Sequence, residues 1–200
     1  ILIASVIALR SDNLKRRLAY STISQLSYVI LATALLVPIS IMGAVLHILA
    51  HALGKITLFF AAGSIYTATK KTEVSQLDGI GRCMPWTMAA FAIGSLSMIG
   101  IPPTAGFLSK WFILQGALDI QSWFAVTVIV ISTLLNAAYF LPIVYVAFFR
   151  NSNTKNTCTY NEAPFPIVLA VSITALMTVI LFFFPEVPLE LVKLLIGESL

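Results

Sequence analysis

Long apolar runs separated by short polar segments fill this chain from end to end. Apolar residues 1–9 lead into "RSDNLKRR" (10–17), and further runs cover about 18–37, 39–67, 85–118, 122–149 and 165–184. A helix of about 20 apolar residues crosses the ~30 Å hydrocarbon core of a bilayer. The pattern therefore predicts an all-α, polytopic bundle of transmembrane helices. Pro38 marks a tight, uncharged connection between the second and third runs. The third run is long enough to tilt or to overshoot the membrane. The opening nine residues are too short to span and lack the charged start of a signal peptide. They read as the tail of a helix that begins upstream, so the sequence is expected to be a piece of a longer protein.

The stretch 85–118 is interrupted at "GIPPTAG" (100–106). A proline removes a backbone donor and clashes with the carbonyl four residues back, so Pro102 and Pro103 stop a helix. Halves of 85–99 and 107–118 are each too short to cross alone, which predicts one discontinuous helix. Its free backbone groups, carbonyls of 97–100 and amides of 104–107, must face protein or a watery cavity. After the polar segment 150–164, a last span and a short amphipathic tail complete the chain.

Composition agrees with the pattern: 59% of residues are hydrophobic and 10% charged, against about 25% charged in soluble domains. The sequence pI of about 9.2 raises the question of nucleic acid. There is no soluble basic domain or recognition motif, however, and Gly79 and Gly81 do not continue into a phosphate-binding G-x-G-x-x-G. The basic residues instead separate by side. Arg10, Lys15, Arg16, Arg17, Lys70, Lys71, Arg82, Arg150 and Lys155 fall on one face and only Lys193 on the other. The positive-inside rule then places segments 10–17, 67–84 and 150–164 in the cytoplasm, as in a bacterial-type inner or plasma membrane. Cys83 and Cys158 form no C-x-x-C pair and read as unpaired thiols. Trp86, Trp111 and Trp123 near span ends read as interface anchors.

Two cations remain inside the spans, Lys55 and Lys110, together with His47 and His51. A charge at the bilayer centre costs at least ~2.5–3.5 kcal/mol, so such residues mark ion or proton pathways. His47, His51 and Lys55 recur every four residues, forming a stripe on one helix face roughly 80° wide and ~12 Å tall. Successive members stand too far apart for direct bonds, and bridging waters would complete a chain. Histidine passes a proton between its ring nitrogens, and a desolvated lysine releases one readily. The rival reading is zinc, since H-x-x-x-H can ligate it. "HILAH" lacks the Glu of H-E-x-x-H, and no third ligand is visible. Lys110 lies one turn beyond Gly106, at the start of the second half of the broken helix. Charges beside helix breaks are how transporters build midplane sites. Lys15, at a helix start on the basic side, reads first as a topology signal. Asn136 could join a water chain or hold helices together. No flavin, haem or iron–sulfur ligand set is present, so no cofactor is expected in this chain.

Three segments, "DNLKRRLAYSTISQLSYVILA", "LHILAHALGKITLFFAAGSIY" and "GIPPTAGFLSKWFI", carry a resemblance. They look like the second half of the antiporter-like, proton-conducting subunits of respiratory complex I, membrane-bound hydrogenases and Mrp-type cation/proton antiporters. That family's "ELDG" appears here as "QLDG". The resemblance implies the second half of an inverted-repeat transporter fold, with a conducting unit over 1–150 and a loop, last helix and tail over 151–200. It implies a proton relay through His47, His51 and Lys55, a terminal carrier at Lys110, and a further functional lysine at Lys15. Asn13 departs from the Asp found in many members, and Asp12 beside it is the substitute partner for the "KRR" run. Implied partners are other membrane subunits, protons, an exchanged Na+ or K+, and the lipid bilayer. The wording leans toward the Mrp subunit-D branch over a respiratory-chain NADH:quinone oxidoreductase. The alternatives from other classes are a non-conducting membrane anchor of a redox complex and a single-chain ion channel.

Overall fold

The computed structural model describes residues 1–150 and 162–196, the last two by backbone alone. They form helices α1 (Leu2–Arg10), α2 (Leu14–Ala34), α3 (Pro38–Thr69), α4 (Ile80–Cys83), α5 (Pro85–Ile99), α6 (Ala105–Asp119), α7 (Trp123–Phe149), α8 (Phe165–Phe183) and α9 (Glu186–Ile196). A single 3-10 turn, Val74–Gln76, lies between α3 and α4. Among the described residues there is no strand.

Local chemistry sets the boundaries. The Asn13 side chain accepts from the Arg16 amide at 3.0 Å, an N-cap that satisfies one of the four free donors at a helix start. The "KRR" run, read as loop from its charge, therefore joins α2, which begins four residues before the expected position 18. At its other end Leu36 turns to φ 55, and Pro38 opens α3 at a position where a missing N–H costs nothing. The expected span 18–37 is thereby shifted to Leu14–Ala34. Among the described residues, three helices, α3, α7 and α8, are long and apolar enough to cross a membrane. The less apolar α2 turns Ser21, Ser24 and Gln25 into the bundle.

Helix α3 is the central post, packed against α2, α5, α6 and α8. Its 32 residues extend for roughly 48 Å at 1.5 Å each. One apolar cluster, including Leu58, Met88, Phe91, Phe140 and Ile143, fills the space between α3, α5 and α7. A second gathers Tyr28, Ala44, Ile113 and Ile129. Along α3 and α6, His47, His51, Lys55 and Lys110 fall between the two.

The polar segments meet at one end of the bundle. Leu14 donates to Thr72 O at 2.8 Å and Val74 to Asp12 O at 2.9 Å, while Gly79 donates to Val146 O at 3.0 Å. Arg150 pairs with Asp78 at 3.4 Å. The Asp12 carboxylate accepts from the Ser75 amide and hydroxyl, at 3.1 and 2.7 Å. Asp12 also acts electrostatically on Arg17 of the "KRR" run. Glu162 accepts from the Trp86 amide at 2.8 Å and the Thr87 hydroxyl at 2.6 Å, clamping the start of α5. Lys155 and Cys158 lie outside the described residues. Cys83 is disulfide-bonded, which corrects the reading of it as an unpaired thiol; the chain beyond 161 folds back over the Cys83–Thr87 turn through Glu162. Trp86, Trp111 and Trp123 are all exposed on the outer surface.

Candidate functional site

The stripe on α3 faces inward. His47, His51 and Lys55 are 1%, 8% and 6% exposed, and Lys110 is 7% exposed, so none of the four points at lipid. The two imidazoles lie nearly parallel with centroids 6.4 Å apart, too far for a direct bond and close enough for one intervening water. His47 Nδ1 is 2.9 Å from Ser109 Oγ. The Ser109 hydroxyl itself donates to Gly106 O at 3.0 Å. A hydroxyl has one proton to give, so Ser109 accepts from His47, which carries its hydrogen on Nδ1. This tautomer is assigned from the bonding pattern. His47 also interacts with the Gln25 backbone, and its Nε2, like that of His51, is buried without a well-formed hydrogen bond. Buried polar atoms almost always find a partner, and water is the usual one.

One turn further along, Lys55 Nζ donates to Leu18 O at 3.0 Å and to Ser21 Oγ. It lies 5.9 Å from the centre of the Phe140 ring. The ammonium is thus held by α2 and α7 as well as its own helix.

The broken helix supplies the other lysine. Helix α5 stops at Gly100, whose φ of 90° suits a residue without a Cβ. The amides of Gly100 and Ile101 both turn back to Leu96 O, at 2.9 and 3.0 Å. Pro102 and Pro103, joined by a cis bond, carry the chain to Thr104, and α6 starts at Ala105. Gly106 then presses against the backbone of Ser97, where a Cβ would overlap the carbonyl. This crossing brings Lys110 back over the end of α5. Its Nζ donates to Met98 O at 2.8 Å and Ile99 O at 2.9 Å. Two carbonyls left free by the break are therefore satisfied by the lysine, at the negative end of the α5 dipole. Nζ also lies 5.1 Å from the Tyr28 ring centre, and the Tyr28 ring is 5.6 Å from that of His47. Tyr28 thus stands between the second lysine and the first histidine. A cavity of about 290 Å³ beside Lys110 is lined by Gly100, Phe107, Trp111, Ile129 and Thr133.

The structure brings His47, His51, Lys55 and Lys110 into one buried seam, with Pro102, Pro103 and Gly106 shaping its far end. It does not bring in Lys15, which is exposed and lies 4.9 Å over the Tyr66 ring. Arg17, counted in sequence with the surface cations, is buried instead. It donates to Ser11 O at 2.8 Å and Tyr139 O at 3.0 Å, and more weakly to Leu9 O. Neutral residues absent from the sequence reading complete the seam: Ser21, Gln25, Tyr28, Ser109 and Tyr139, all fully buried. Tyr139 and Asn136 are joined at 2.6 Å, and the Tyr139 hydroxyl also interacts with Ser21 and Gln25. A shared spacing was there to be read, since Ser21-Gln25-Tyr28 and Ser132-Asn136-Tyr139 both step by four and then three. That period keeps each trio on one helix face. Among the described residues, no three His, Cys, Asp or Glu side chains gather as a metal site would need. The arrangement can hold protons on nitrogen bases at both ends and pass them between through imidazole, hydroxyl and water.

Residues 1–136 match the protein family described as "NADH:quinone oxidoreductase/Mrp antiporter, TM". The NADH-quinone oxidoreductase subunit N of Desulforudis audaxviator is 43% identical over 150 residues, covering 75% of this chain and 30% of that protein. The NADH-ubiquinone oxidoreductase chain 5 of Metridium senile is 40% identical over 155 residues, covering 76% and 25%. The chain thus spans well under half the length of these curated relatives. In fold, it resembles a chain of the Mrp complex from Dietzia sp., with a TM-score of 0.85 at 22% identity over 96% of this chain and 43% of that one. Family, apolar helices and inward-facing cations agree: the chain is an integral membrane protein and belongs to the NADH:quinone oxidoreductase/Mrp antiporter transmembrane family.

Proposed function

We propose that this chain forms part of a proton-translocating membrane subunit, with Lys55 as central carrier, His51 and His47 as shuttle, and Lys110 as terminal carrier. The observation that carries this reading is the continuity of the seam. Lys55, His51 and His47 share one inward face of α3, and His47 is bonded to Ser109, the residue before Lys110. Among the described residues, no Asp or Glu is buried with them, so both ammonium groups are held by carbonyls, hydroxyls and ring faces. Neutral holders let a lysine give up its proton without stranding an opposite charge. The Nε2 atoms of both histidines, buried without a well-formed hydrogen bond, sit where a relay needs acceptors.

The complex around it consists of further membrane subunits, and any redox cofactor sits in those partners. The relatives at 43% and 40% identity are named as quinone oxidoreductase subunits. They support the quinone-oxidoreductase branch over the Mrp branch toward which the sequence wording leans. An exchanged Na+ or K+ belongs to the Mrp branch alone. The basic segments that meet at one end face the cytoplasm by the positive-inside rule.

Lys55→Ala in the complete complex, reconstituted in vesicles with a pH-sensitive dye, tests the reading. Assembly should persist while proton uptake is lost. A membrane anchor predicts that both survive, and that result would overturn the proposal.

A further inference from the structure

The ammonium of Lys110 has three N–H donors, and the end of α5 accounts for two of them. The third meets the side-chain amide of Asn136 on α7. One terminal atom of that amide lies 3.1 Å from Lys110 Nζ and 2.7 Å from Gln25 Nε2, both donors. The other terminal atom lies 3.3 Å from Ser132 O and 2.6 Å from Tyr139 Oη. Only an oxygen facing Lys110 and a nitrogen facing Ser132 satisfy all four contacts. The opposite orientation keeps the Tyr139 hydroxyl as a donor at 2.6 Å and adds a 3.5 Å contact to Met98 O, but sets donor against donor at both Lys110 and Gln25. Lysine decides the matter because it never accepts while charged, whereas Gln25 could turn its own amide.

The geometry points to Asn136, braced by Gln25, as the positioning residue that completes the cradle of the Lys110 ammonium and so sets how tightly that lysine keeps its proton. This rests on the terminal-carrier reading of Lys110 given above. None of the three acceptors is a base, so a proton leaves only after Nζ turns one N–H away. Met98 O and Ile99 O are fixed by the end of a helix. Asn136 alone offers its acceptor on a rotatable side chain, and it is the contact that yields. The titratable groups facing Lys110 are His47 on α3 and Tyr28 on α2, with Tyr139 on α7 meeting the far side of the Asn136 amide. Helices α5 and α8 contribute none.

The test is made in the complete complex with two variants and two measurements. Asn136→Leu keeps the shape and removes the acceptor; Asn136→Asp keeps the shape and makes the acceptor anionic. Acylation of Lys110 by a membrane-permeable anhydride, followed against pH by mass spectrometry, reports the neutral amine directly. Proton uptake against pH is recorded in parallel. A bond to a charged group shifts the acylation midpoint by about one to two pH units. Asn136→Leu should move it down and Asn136→Asp up, with the Lys110-dependent limb of the uptake profile following each. Should Asn136→Leu fail to assemble, the direction given by the isosteric Asn136→Asp decides alone. Unchanged midpoints, or midpoints that move the same way, overturn the inference whatever uptake does. Opposite midpoint shifts in a complex whose Lys110→Ala form still takes up protons normally would uphold the cradle and overturn the carrier reading instead.

Discussion

Replacing Gly106 with alanine tests the geometry of the break without touching a titratable group. A Cβ there would overlap the Ser97 carbonyl oxygen and come within 2.8 Å of the carbonyl carbon. Carbon atoms pack at about 3.5–4.0 Å and the oxygen is nearer still, so α5 and α6 must part by at least about 1 Å at this crossing. Both partners are backbone, and no change of rotamer relieves the contact. Lys110 rides on α6 one turn further on, and its bonds to Met98 O and Ile99 O, 2.8 and 2.9 Å long, span the widened gap. Lengthened by that amount they leave the hydrogen-bonding range, which ends near ~3.2 Å. Each such bond to a charged group is worth about 1.5–3 kcal/mol. The flexible side chain will recover one of the two by re-aiming. The net loss is then about 1.5–3 kcal/mol, or roughly one to two pH units in proton affinity. The sign is fixed, because the charged form loses its acceptors and Lys110 releases its proton at lower pH. Proton uptake by vesicles carrying the Gly106→Ala complex should stay near normal in acid and fail earlier than wild type as pH rises. Superimposable profiles would refute the account of how the break holds its lysine.

Two further substitutions probe the frame and the shuttle. Arg17→Ala strips donors from Ser11 O and Tyr139 O in a buried site. It should destabilise the bundle by about 2–6 kcal/mol, as each of the two stranded carbonyls costs about 1–3 kcal/mol. A thermal melt of the purified complex would record this, and Arg17→Lys should not restore it, since an ammonium cannot reproduce the fork. Ser109→Ala removes the acceptor that fixes the His47 tautomer. Uptake should fall by about tenfold, equivalent to ~1.4 kcal/mol, with assembly intact. An unchanged rate would remove Ser109 from the pathway.

Much of this was legible because bilayer physics restricts what a sequence can do. Apolar runs announce helices, two adjacent prolines announce the break, and a four-residue recurrence of His47, His51 and Lys55 announces a face. Lys110 stood out for the same reason as Lys55, as a cation with no surface to reach. Arg17 was hidden by its neighbours. Lys15 and Arg16 are exposed, and only a 100° step per residue, together with the Asn13 cap that draws the run into α2, turns Arg17 inward. The neutral members were hidden differently. Ser, Gln and Tyr are ordinary in membrane helices, and what they contribute depends on the neighbouring helix they meet. The Lys110 contacts could not be read from sequence at all, because they depend on how closely two half-helices cross at Gly106.

The two ends of α5 have a mechanical meaning. Glu162 grips its start and Lys110 its finish, each opposite in sign to the partial charge it meets. A rod pinned at both tips cannot slide or turn without releasing one of them. Any displacement of the strut must therefore break the Glu162 clamp or the Lys110 bonds first.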